Sequence, residues 1–158
     1  MRGHVRLGRW RQICPGVLLT SNGELTPPQQ HWIAVLMAGQ GALLAFVTGT
    51  NFPVLSANTS VDPGAVLAPA VSATPLTGAG KLGPRTIVTK ASGKKIGIFG
   101  LTPPDTGILS NAGIGVTFNA NVVAVAQAQV DALKAEGADY IVGLTHVGYD
   151  LDKTIAAS

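Results

Sequence analysis

Residues 119–148 read NANVVAVAQAQVDALKAEGADYIVGLTHVG, and two different periods lie side by side in that run. Val122, Ala126, Val130 and Leu133 recur at spacings of four, four and three, which places them on one face of a helix. Asn119 or Asn121 can cap its start, because a short side-chain oxygen there accepts from an amide with no partner in the helix. Gly137 stands just past its end, where a left-handed residue stops a helix. Tyr140 to Leu144 then forms an apolar run of strand length, with Thr145 and His146 at its carboxyl end.

Outward from this unit, Arg85 to Lys90 and Lys95 to Leu101 flank Ala91, Ser92, Gly93 and Lys94. Two such runs joined by a short Gly-containing turn predict a β-hairpin. Strand, helix, strand in that order implies a right-handed crossover and a parallel pair covered by helix. The fold class is therefore α/β with a mixed sheet, and the apolar run at 140–144 reads as one of its central strands. Phe52 to Ala57 is a short apolar run without a helical period and predicts a buried strand ending at Asn58. Asp62 to Pro84, rich in Pro, Gly, Ala and Thr, reads as an irregular excursion.

The first fifty residues read differently. Glu24 is the only acid before Asp62, no Lys occurs before Lys81, and no Asp, Glu, Lys or Arg lies between Leu25 and Val61. Trp32 to Val47 is mostly apolar and admits two readings, a membrane span and a buried or poorly specified helix. A span needs about 20 apolar residues, whereas this run is shorter and holds Gln40 between Gly39 and Gly41. The helix is therefore preferred, and membrane association is kept only as an alternative. Arginines before the patch Ile13 to Leu19 resemble the start of a signal peptide, but Pro15 and Gly16 break the patch and no small-residue cleavage pattern follows. The chain divides into a divergent or poorly ordered segment over 1–50 and a folded segment over 51–158.

The chain has 158 residues, 46% of them apolar, which suffices for one core and excludes a disordered charged tail. Its single cysteine, Cys14, excludes an internal disulfide. The formal charge of +3 comes from the amino terminus: Arg2, Arg6, Arg9 and Arg11 account for four of the 11 basic residues, leaving seven against eight acids. That distribution does not support a uniformly basic face, and nucleic-acid binding is not expected.

Candidate chemistry centres on His146. In open α/β sheets ligands sit beyond the carboxyl ends of the strands, where an imidazole can bind a metal or move a proton. The plainer alternative is a histidine that hydrogen-bonds its loop. Asp150 and Asp152 precede a helical run at 153–157 and are read as capping its start rather than as ligands. Gly78, Gly80 and Lys81 resemble the end of a phosphate loop, but Pro75 takes the first glycine position and Leu82 replaces the hydroxyl residue. Gly113 and Gly115 open a GxGxx pattern that ends on Phe118, and both are read as turn glycines. Asn58, Thr59 and Ser60 form a glycosylation sequon.

Four blocks, FPVLSAN at 52–58, KIGIFGLTPPDT at 95–106, GVTF at 115–118 and GADYIVGLTHVGYDLDK at 137–153, resemble the metallophosphoesterase domain of the bacterial 5'-nucleotidase family. The resemblance covers about two thirds of the chain and implies a partial calcineurin-like sandwich with a mixed sheet. It also implies two divalent metals, with Zn, Mn, Mg and Ca not distinguished, which activate water to hydrolyse nucleotide phosphate esters. The histidine of the family's THxG motif is a metal ligand, and here the motif is Thr145, His146, Val147 and Gly148. His146 is accordingly the one metal-ligand candidate, and no catalytic residue is assigned.

The departures are equally specific. The family's DxH, GD, GNHE or GNHD, and GHxH motifs do not occur, and SNGE at 21–24 has neither the histidine nor the spacing to replace GNHE. Two adjacent divalent ions need several carboxylate, amide and imidazole ligands, of which this chain offers His146. The sequence is therefore read as an internal, inactive fragment of a nucleotidase, with an amino-terminal segment changed by truncation or reading frame. A nonenzymatic α/β binding module for a small ligand is the alternative. Family resemblance implies a nucleotide as the substrate and a periplasmic or extracellular location for the parent; the nucleotide itself and the oligomeric state are not assigned.

Overall fold

The computed structural model describes residues 11–14, 17–19, 39–110 and 112–158. The possible leader and the apolar run from Trp32 fall partly outside these. Strands β1 (Arg11–Cys14) and β2 (Val17–Leu19) pair antiparallel. Residues 39–49 form helix α1, the described part of the run read as a buried helix. No helix of the described residues is long and apolar enough to cross a membrane.

The hairpin forms as its sequence predicts, with β6 (Arg85–Thr89) antiparallel to β7 (Lys95–Leu101) from Arg85↔Phe99 to Thr89↔Lys95. After β7 the chain passes a short helix α2 (Thr106–Leu109) and strand β8 (Val116–Phe118) and enters helix α3 (Val122–Ala135). Asn121 is the cap, its side-chain oxygen accepting from the Ala124 amide at 3.2 Å. Gly137 has φ 82°, the left-handed conformation its place after the helix calls for. The chain returns as β9 (Tyr140–Thr145), parallel to β7 from Ile96↔Tyr140 to Leu101↔Thr145. The predicted strand, helix, strand crossover is present, and the sheet is mixed.

Phe99, Leu101, Val122, Ala126 and Leu133 form the core between this sheet and α3, with Ile87, Ile141, Val147 and Ile155 packed around them. Leu133 is fully buried, and it lies so close to Gly97 that a β-carbon there would meet its side chain at 2.7 Å. A second cluster, Val47, Leu67, Ala70 and Leu82, joins α1 to the excursion at 62–84. Gln40 reinforces the join, accepting from the Leu67 amide at 3.2 Å and donating to the Ile114 carbonyl at 2.7 Å. Packing thus runs continuously across position 50.

Three expectations change. The strand expected over 52–57 narrows to β3 (Val54–Leu55), parallel to β5 (Leu82–Gly83). The chain then crosses to the main sheet: the Ser56 amide still bonds Gly83, while the Ala57 amide bonds Gly100 at 2.8 Å. β4 (Thr59–Val61) next pairs antiparallel with β8. The excursion contains β5 and a 3₁₀ turn at Ala68–Ala70. β9 is not central; among the described residues it is the edge of the order β6-β7-β9. Ile141 faces α3, while Tyr140, Val142 and Leu144 point to the opposite side and are exposed. An apolar run of this length fits a central strand, but here helix covers one face of β9 and the other is open.

Candidate functional site

The carboxyl ends of β7 and β9 lie side by side, because parallel pairing puts Leu101 opposite Thr145. The chain leaves β9 through His146, Val147 and Gly148 and enters helix α4 (Tyr149–Ala156). His146 is held by its backbone, the amide donating to the Leu101 carbonyl at 3.2 Å, and its side chain is exposed beyond the strand end. That is where a ligand-binding group of an open α/β sheet belongs.

Asp150 and Asp152 occupy the first turn of α4, where the free amides and helix dipole favour negative charge. Neither is the cap. Gly148 holds the N-cap position and no side chain caps the helix. Asp152 instead accepts from the Thr145 hydroxyl at 2.5 Å, so its oxygen is committed across the loop that carries His146. Asp105 stands before α2 and is exposed, with no side-chain capping bond. Among the described residues no three His, Cys, Asp or Glu side chains converge as metal ligands would. The donor set described here therefore does not fit a two-metal centre by itself, although His146 is placed as one ligand could be.

Beneath the strand ends lies a polar cluster that the sequence did not reveal. Asn58 is 2% exposed, and its carboxamide binds both backbone groups of Thr102, accepting from the amide at 2.9 Å and donating to the carbonyl at 2.8 Å. A longer bond of 3.4 Å reaches the Asn119 carbonyl, and the Asn119 amide donates to the Asn58 carbonyl at 2.8 Å. The Ser56 hydroxyl lies 2.6 Å from both the Thr59 and the Thr102 hydroxyls. The one legible signal is Asn58 itself, a residue able to bond backbone groups, which the sequence presents as the end of an apolar run and the start of a sequon. In the fold its nitrogen is used internally.

An open groove of about 630 Å³ lies elsewhere, lined by Gln40, Asp62, Val66, Ile114 and several glycines. It does not include His146. Gly113 and Gly115, both with positive φ, turn the chain at its wall, as turn glycines should.

No protein-family model matches the chain. It is 36% identical over 117 residues to a 5'-nucleotidase of Diplobatis ommata, an alignment covering 74% of this chain and 18% of that protein. Among solved structures, the 5'-nucleotidase precursor of Thermus thermophilus superposes with a TM-score of 0.63 at 35% identity, covering 75% of this chain and 21% of the other. A calcineurin-like phosphoesterase of Bacillus subtilis gives a TM-score of 0.51 at 26% identity, covering 70% and 32%. The chain thus spans about a fifth of the length of the 5'-nucleotidases it matches.

Proposed function

We propose that this chain, whose homologues are 5'-nucleotidases and bacterial calcineurin-like phosphoesterases and whose α/β fold is part of theirs, carries one strand-end ligand of a nucleotide phosphoesterase centre. That ligand is His146. The observation that supports it is positional: the THxG sequence runs from the last residue of a parallel strand into the loop that leaves it, with the imidazole exposed beyond the sheet.

The substrate class is a nucleotide phosphate ester, and the cofactor class is the divalent metal ion used by calcineurin-like phosphoesterases. By itself the described chain lacks the acids and imidazoles that would complete such a centre, so we infer that it does not turn over nucleotide alone. A secreted or periplasmic setting goes with the parent family.

Replacing the corresponding segment of the Thermus thermophilus 5'-nucleotidase by residues 51–158 tests this reading, with phosphate release from AMP and manganese as the assay. The graft should hydrolyse AMP, and His146→Ala should remove most of that activity while leaving the graft folded. A graft that stays fully active after His146→Ala would refute the ligand role. Turnover of AMP by the isolated chain would refute its inactivity.

A further inference from the structure

We infer that Asn58 is a positioning residue for His146, acting through the carboxyl end of β7. Its carboxamide grips the Thr102 amide and carbonyl together, a two-point clamp on the residue that follows β7, and it is almost wholly buried. The adjacent carbonyl, that of Leu101, is the acceptor for the His146 amide. A buried carboxamide with its donor and acceptor both engaged has one low-energy orientation, because rotation would leave Thr102 unpaired in the interior. The clamp thereby sets where the Leu101 carbonyl points. That carbonyl in turn sets the backbone of His146, and the backbone sets the direction of its β-carbon. Ser56 acts in the same sense, its hydroxyl joined to that of Thr102 at 2.6 Å. On the other side of His146, the Thr145 to Asp152 bond fixes the loop against α4. The imidazole is itself exposed, so its placement depends on these backbone anchors rather than on packing of the ring.

The relevance of this clamp to a bound metal rests on the ligand role proposed for His146; the positional claim does not, and it is tested without metal or nucleotide. Native-state amide exchange of the whole chain reads it directly. Asn58→Ala should raise the exchange rate of the His146 amide at least tenfold relative to the amides at the middle of β9. Leu133→Ala, which weakens the core without touching the clamp, should leave that ratio unchanged. If Asn58→Ala does not fold, Asn58→Asp decides, since it still accepts from the Thr102 amide but in its ionised form cannot donate to the carbonyl. The same selective rise is then expected. Parallel loss of protection at His146 and at mid-strand, or no change at His146, would overturn the inference. Failure of the AMP graft with a selective rise at His146 would count against the ligand role alone.

Discussion

The Thr145 hydroxyl donates to the Asp152 carboxylate at 2.5 Å, tying the last residue of β9 to α4 across the loop that contains His146. A hydrogen bond to a charged acceptor is stronger than a neutral one. In this partly exposed setting, Asp152→Ala should cost about 1 to 2 kcal/mol in urea unfolding. Part of that is the favourable place of an acid in the first helical turn. The double-mutant cycle with Thr145→Val separates the two, and a coupling near zero would show that the bond adds nothing.

Leu133 is the keystone between α3 and the sheet, with no exposed surface. Leu133→Ala should destabilise by about 2 to 5 kcal/mol, the loss of burial plus the cavity left behind. Gly100→Ala acts by the opposite route. A β-carbon at Gly100 would collide with the Leu55 carbonyl, a backbone atom that cannot step aside alone. The variant should lose stability through overpacking, and an unchanged melting temperature would contradict the close approach of β3 to β7.

The local units were legible, because period, cap and stop at 119–148 all pointed to one structure. Tyr140 to Leu144 misled as to place: an apolar run records burial on both faces only when both faces are covered, and Tyr140, Val142 and Leu144 are exposed. The strand end bearing His146 was likewise readable from order alone. Asn58 and Thr102 were not, since they are 44 positions apart and the clamp exists only after β3 and β7 meet.

The sequon at Asn58 supplies a direct check on that clamp. The nitrogen that would carry glycan already donates to Thr102 in a site 2% exposed. Chain folded before transfer and then offered to an oligosaccharyltransferase should remain unmodified at Asn58, while urea-unfolded chain accepts glycan. Efficient modification of the folded chain would show that Asn58 is accessible.

Asp139 lies at the other end of the parallel pair. The Lys94 ammonium bonds its carboxylate at 2.6 Å and the Lys95 amide bonds it at 2.8 Å; together they hold its pKa below the ordinary value, the Lys94 bond contributing most. A group depressed in the folded state contributes stability above its unfolded pKa and loses it as pH falls through the folded one. Asp139→Asn should therefore flatten the fall of the melting temperature below about pH 4 and change its shape little at neutral pH. An identical acid limb in the variant would mean that other carboxylates account for it.

Among the described residues, no group of three metal-ligating side chains forms around His146. An isolated imidazole competes poorly with water for a divalent ion, because a stable site needs three or four donors arranged together. Calorimetric titration of the chain with zinc or manganese should show weak binding that His146→Ala barely alters, with the fold retained because the side chain lies outside the core. In the nucleotidase graft the same substitution removes one of several donors, and there metal affinity should fall clearly. Tight binding by the isolated chain that disappears in His146→Ala would require other donors. Asp105, Asp150 and Asp152 are the acids to replace next, with Asp152 first releasing its bond to Thr145 before it could turn toward a metal.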